Sequence, residues 1–154
     1  MRAIMSTIHR KLQVPYTASD MFRLVDDVAQ YQHFLPWCKQ SVELSRTEDE
    51  VRAMLTLSAG GFQKSFSTSN RLKKNKMIEI SLLNGPFKHL EGFWLFQDES
   101  EKSEKSEKLS SVQLDLEFEF SSKIISMAFA PVFHQVANTL VDAFAKRAEQ
   151  QYGK

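Results

Sequence analysis

Val112-Gln113-Leu114-Asp115-Leu116-Glu117-Phe118-Glu119-Phe120 alternates apolar and polar residues without a break. Successive side chains on a strand point to opposite faces, so this stretch offers one oily face to a core and one acidic face to water. It reads as a strand of an antiparallel sheet covered on one side. What covers it follows in the chain: Phe129, Val132, Phe133, Val136, Leu140, Val141 and Phe144 recur at helical spacing. Lys146, Arg147, Glu149 and Gln150 gather near the end of that helix, and Gly153 terminates it. Pro131 either falls in the first helical turn or marks a kink after a shorter helical piece at Ile124 to Phe129, because proline cannot donate to the helical ladder.

Working back toward the N-terminus, Leu90, Trp94 and Phe96 share a face, preceded by the turn Asn84-Gly85-Pro86 and by Ile78, Ile80 and Leu82. Asn75 marks the turn before that. Phe62, Phe66 and Leu72 form the return strand of a hairpin whose outgoing strand carries Val51, Ala53, Leu55 and Leu57, with Ala59-Gly60-Gly61 as the turn. Val42 and Leu44 begin this run of strands. At the N-terminus, Ile4, Ile8, Leu12 and Val14 predict a half-buried strand ending at Pro15. Thr17 and Asp20 then form a capping-box-like start to a short helix carrying Met21, Phe22, Val25 and Val28 on one face, and Tyr31, Phe34 and Leu35 predict one more apolar turn.

Between the last two strands Ser-Glu-Lys is repeated three times over residues 100–108. Balanced charge without apolar residues cannot offset ordering entropy, so this insert reads as a flexible, solvated hairpin tip. The sum is an α+β fold: a curved antiparallel sheet of about seven strands wrapped around a long C-terminal helix, with two short helices after the first strand. A single domain over 1–154 is expected, with its core at about 5–153. Such a wrap leaves room for a concave apolar pocket between helix and sheet.

At 154 residues, 42% hydrophobic and with 12 Phe, the chain can enclose a sizeable core. The 20 basic and 19 acidic residues leave a formal charge of +1, so no global field recruits nucleic acid or an anionic membrane, and DNA is not an expected partner. The opening MRAIMSTIHRKL lacks the apolar core of a signal peptide, and nowhere do 18 apolar residues run together, which points to a cytoplasmic protein. The lone Cys38 excludes an intramolecular disulfide and suits a reducing compartment.

The search for catalytic chemistry finds no phosphate loop, nucleophile elbow or zinc-binding His-Glu-x-x-His. His9, His33, His89 and His134 are scattered over different elements and read as structural or surface histidines. Asp115, Glu117 and Glu119 point to water, and Cys38 has no basic partner that the sequence reveals, so it reads as a buried or bystander thiol. Arg71, Lys73, Lys74 and Lys76 surround the Asn75 turn; they form either a solvated tip or a contact for RNA phosphates. Trp94, Phe96, Phe118, Phe120, Phe133, Val136 and Leu140 either line a cavity for an oily ligand or fill a solid core. Ile124 to Phe133 is either ordinary packing or an apolar lip at the mouth.

Four blocks, in order, carry a family resemblance: Tyr31-Gln32-His33-Phe34-Leu35-Pro36-Trp37-Cys38; Gly85-Pro86-Phe87-Lys88 with Leu90, Gly92, Trp94 and Phe96; Leu116-Glu117-Phe118-Glu119-Phe120; and Val141, Ala143, Phe144, Arg147 and Ala148. The chain resembles the coenzyme Q-binding, START-like (polyketide cyclase/dehydrase) family, including its bacterial branch of ribosome association toxins, from about residue 5 to 153. Met1 to Ile4 and the Ser-Glu-Lys repeat depart from it without touching the four blocks.

The resemblance implies a helix-grip fold and two activities of different classes. One is non-catalytic binding of ubiquinone or a similar polyprenyl lipid as a chaperone for respiratory electron transfer, with transient contact at the inner face of the cell membrane. No cofactor is required. Each CH₂ removed from water is worth about 0.8 kcal/mol, so sheathing a few isoprene units can offset leaving the bilayer. On this reading Trp94, Phe96, Leu116, Phe118, Phe133, Val136 and Leu140 line the sleeve, and Phe34, Leu35 and Ile124 to Phe129 form its entrance. The other activity is toxin-like binding to the large ribosomal subunit, opposed by an antitoxin and resting on Arg71, Lys73, Lys74 and Lys76. Cyclase-like catalysis has no acid or base to name.

Overall fold

The N-terminal alternation produces β1 at Ser6–Val14, with Ile8 and Val14 turned into the core. These observations come from a computed structural model that describes residues 5–59, 61–99 and 108–153. Ile4 and most of the Ser-Glu-Lys repeat therefore lie outside the described residues. Helix α1 follows at Ala18–Asp26, and its start is the expected one: the Thr17 hydroxyl accepts the Asp20 amide at 3.0 Å. Such a cap is worth about 1 kcal/mol. Ala18, Met21, Phe22 and Val25 bury one face, and a short 3₁₀ helix at Val28–His33 adds Val28 and Tyr31.

Six further strands come next: β2 Cys38–Arg46, β3 Glu50–Ala59, β4 Phe62–Lys73, β5 Met77–Asn84, β6 Phe87–Asp98 and β7 Ser110–Phe120. They form one seven-stranded sheet in the order β1-β7-β6-β5-β4-β3-β2, antiparallel at every pairing. Sequential hairpins explain all but the β1–β7 pairing. The turns use the residues the sequence offers, with Asn75 at φ 64° and Gly61 at φ 87°, angles that bulkier side chains resist. Gly92 answers a different need. A Cβ there would stand 2.1 Å from the Asp115 carbonyl oxygen, so β6 and β7 approach closely only because that atom is missing.

β2 departs from the sequence expectation. Its register shifts between Cys38 and Gln40 and again between Glu43 and Ser45, and such irregularities re-aim the side chains around them. Cys38 and Ser41 take the inward places and Leu44 is exposed. Ser41 offsets its burial by bonding: its Oγ donates to the Ala29 carbonyl and accepts the Gln32 amide, tying the 3₁₀ helix to the sheet.

Helix α2 runs from Lys123 to Tyr152. Pro131 neither begins this helix nor divides it. Phe129 and Phe133, on either side of it, are buried in one aromatic cluster, and that shared packing holds the helix together across the missing donor. Length and composition alone would let α2 cross a membrane, yet its buried residues, Phe129 through Ala148, pack into the core beneath the sheet.

Candidate functional site

α2 lies against β1 and β7, while the other strands curl past it and leave an apolar cavity of about 100 Å³. The helix supplies Phe133, Val136, Ala137 and Leu140 as one wall. Facing it are Leu55 and Leu57 of β3, Phe66 of β4, Ile78 and Ile80 of β5, Leu90 and Trp94 of β6 and Leu116 of β7. Val25, Tyr31 and Trp37 close the end beneath α1. An apolar void of about 150 Å³ is enough for benzene, so this space is on the scale of a single ring.

Its polar edge is small and specific. Thr68 and Asn70, two residues apart on β4, face the cavity, and the Thr68 hydroxyl donates to Asn70 Oδ1 at 2.9 Å. With its oxygen so engaged, the Asn70 amide keeps its N–H donors for a guest. The Tyr31 hydroxyl is committed to the Val25 carbonyl, and burial, reinforced by Asp26, raises its pKa far above the ordinary range. Among the described residues, no carboxylate, imidazole, thiol or ammonium group lines the cavity.

Five of the residues expected to line the sleeve do so: Trp94, Leu116, Phe133, Val136 and Leu140. Four stand elsewhere. Phe118 is buried in the aromatic cluster, 4.7 Å from the Phe133 ring and against His134. Phe96 stacks on Trp94 and meets Phe22 under α1. Leu35 is buried core, and Phe34 packs against Tyr31 and Phe144 with the Arg147 guanidinium 4.8 Å above its ring. Neither lines the cavity, although their neighbours Tyr31 and Trp37 do, and Phe34 is folded against the C-terminal half of α2. Thr68 and Asn70 were not expected at the site, because the alternation of β4 carries no apolar signal at either position.

The remaining polar groups lie away from the cavity. Cys38 is buried and its thiol is pushed up to about 11, chiefly by desolvation, so it is no nucleophile at neutral pH. On the outer sheet face, ligand atoms of His89, Glu91 and Glu117 lie within 4.8 Å of one another, with His89 Nε2 3.1 Å from Glu117 Oε1. Asp115, beside them, is partly desolvated, which raises its pKa, but bonds from Gln113 and His9 prevail and lower it. Arg71, Lys73, Lys74 and Lys76 are arrayed around the β4–β5 turn, open to solvent.

A family model described as polyketide cyclase/dehydrase and lipid transport matches residues 14–145. The chain belongs to the polyketide cyclase/dehydrase and lipid transport family. Curated relatives agree over nearly the whole chain. The ribosome association toxin RatA of Pseudomonas aeruginosa is 43% identical, and that of Vibrio cholerae 42%, each alignment covering 97% of this chain and all of the relative. A mitochondrial coenzyme Q-binding protein of Dictyostelium discoideum is 24% identical over 92% of this chain and 68% of its own length. Among solved structures, one from Thermus thermophilus has a TM-score of 0.78 at 16% identity, covering 96% of this chain and 99% of that one. A Streptomyces aromatase/cyclase has a TM-score of 0.75 at 16% identity, covering 96% of each chain. These likenesses confirm the helix-grip fold. The fold is thus shared by an aromatase/cyclase and by proteins not named as enzymes.

Proposed function

We propose that the protein is a non-catalytic carrier of a lipophilic quinone such as ubiquinone, held with its ring in the cavity. The observation that carries this reading is the Thr68–Asn70 pair facing an otherwise apolar enclosure. A quinone ring offers only acceptors at its polar edge, and the free Asn70 donors complement them. Apolar walls supply affinity and the amide supplies orientation. The absence of any acid or base lining the cavity among the described residues, apart from the engaged Tyr31 hydroxyl, supports binding over catalysis. The coenzyme Q-binding relative adds support. The test is mass spectrometry of an organic extract of protein purified without detergent from a ubiquinone-producing host. Near-stoichiometric quinone is expected, and a folded protein free of quinone would sink the reading.

A second activity rests on a separate surface. Arg71, Lys73, Lys74 and Lys76 stand at a solvated turn, and among the described residues no ion pair engages them. Free cations clustered at a turn suit phosphate contacts. The relatives at 42–43% identity are named for ribosome association. We infer that this turn contacts the large ribosomal subunit, with an antitoxin as the expected counterpart. Sedimentation with purified subunits tests it: the protein should travel with the large one, and its absence there would refute the contact.

A further inference from the structure

The end of the molecule where α2 begins combines two properties that the chain as a whole lacks. The first is apolar exposure. Ile124 and Met127 are 80% and 81% exposed. Exposed Pro131 continues the side of α2 turned from the sheet, which becomes polar only at Gln135, Asn138, Thr139 and Asp142. A helix that is apolar all round calls for a cover on its outer side as well. Leu83, also exposed, stands one residue from the end of β5, just before the turn that packs on the start of α2.

The second property is charge. The Ser121 amide donates to the Pro86 carbonyl at 2.9 Å, and Lys39 Nζ donates to Gln63 Oε1 at 3.0 Å, so the β5–β6 turn, the β3–β4 turn and the starts of β2 and α2 gather at this end. Residues 37–40, 61–66, 82–90 and 120–134 contain Lys39, Lys64, Lys88 and Lys123 and not one Asp or Glu. Of these, Lys88 reaches a carboxylate, Glu119, at 3.9 Å. A chain of net charge +1 has therefore concentrated lysines around its exposed apolar side chains. Apolar groups ringed by lysine match a bilayer with anionic headgroups, whereas RNA would leave Ile124 and Met127 without a partner.

This end also leads inward. A smaller void bounded by Lys64, Pro86, Phe120 and Phe129 shares Leu57, Phe66 and Phe133 with the main cavity. The edge-packed rings of Phe66, Phe87 and Phe133, 5.1 to 6.2 Å apart, separate the lysine-rimmed face from the site.

Resting on the carrier reading, we propose that this face docks on an anionic bilayer and that the lipid enters the cavity through the Phe66–Phe87–Phe133 seam. The test is co-sedimentation with vesicles of phosphatidylcholine, with and without phosphatidylglycerol, using the full chain. The wild type should pellet with the phosphatidylglycerol vesicles. Joint Ile124→Asp and Met127→Asp changes, at positions already in solvent, should reduce the bound fraction at least about tenfold, since each buried apolar side chain contributes strongly. Joint Lys64→Ala, Lys88→Ala and Lys123→Ala changes should abolish the preference for phosphatidylglycerol. A wild type that stays in the supernatant, a double variant that binds as the wild type does, or a double variant that loses ribosome binding but keeps vesicle binding would each overturn the proposal. Tryptophan quenching by a short-tailed quinone, measured without vesicles, keeps the two readings apart. It should be unchanged in the double variant, and no quenching in the wild type would defeat the carrier reading whatever the vesicles show.

Discussion

The Thr68 hydroxyl is 2.9 Å from Asn70 Oδ1, and both side chains face the space between helix and sheet. This pairing fixes which end of the Asn70 amide meets a guest. Asn70→Leu should weaken quinone binding by about three- to tenfold, the range of one missing hydrogen bond, with little change in thermal stability. Quinone titration followed by tryptophan fluorescence reads the affinity. Undiminished binding would remove the polar edge from recognition.

Filling the cavity should separate binding from folding. Val136 lines the void, so Val136→Phe should eliminate co-purifying quinone while leaving Tm equal or higher, because added atoms enter empty space instead of displacing a neighbour. Phe118 makes the contrast. It is among the largest fully buried side chains and touches four rings, so Phe118→Ala should lower stability by about 3–5 kcal/mol in urea unfolding.

Neutralising Arg71, Lys73, Lys74 and Lys76 to alanine should release the protein from large ribosomal subunits without changing its melting curve, since none of the four is buried. For every phosphate that no longer meets a cation, the salt slope of binding should fall by about one. A variant that still sediments with the subunit would place the contact on another surface.

Cys38 makes stability depend on alkaline pH. Its folded pKa of about 11 exceeds the ordinary 9.0, so the neutral thiol is favoured in the fold. The stabilisation is complete below pH 9 and is lost as the pH climbs through 11. Urea midpoints should fall across this window by the equivalent of about 2 to 3 kcal/mol. Cys38→Ala should remove that part of the fall; parallel curves for the two proteins would show that the thiol does not contribute.

The elements that alternate or recur without interruption were legible in the sequence. β7, β6 and β3 bury the side chains their period assigns, and Thr17 and Asn75 do what their chemistry dictates at a cap and a turn. Three features escaped for physical reasons. The register shifts in β2 turn Leu44 outward, and no local pattern announces a bulge. Pro131 reads as a boundary, whereas aromatic packing on both sides of it carries the helix through. The cavity was legible only in part by position: Trp94, Leu116, Phe133, Val136 and Leu140 line it, whereas Phe96 and Phe118 lie on the inward face but are taken up by ring contacts, and Leu55, Ile80 and the polar pair on β4 complete the wall. Periodicity states which way a side chain points, and only the curvature of the sheet decides whether it meets another side chain or a void.

The pairing of β1 with β7 also governs when the molecule can exist. The first strand finds its neighbour only in the last, with Ser6 opposite Phe118 and Val14 opposite Ser110, and α2, which closes the core, is made later still. A chain emerging from a ribosome can form the hairpins of β2 to β6 but leaves β1 unpaired and the concave face open to water until β7 and α2 have emerged. Contacts between such distant parts form slowly. Closure of the core therefore waits for α2, and a truncation that removes even the second half of α2 should leave an exposed apolar sheet instead of a smaller working protein.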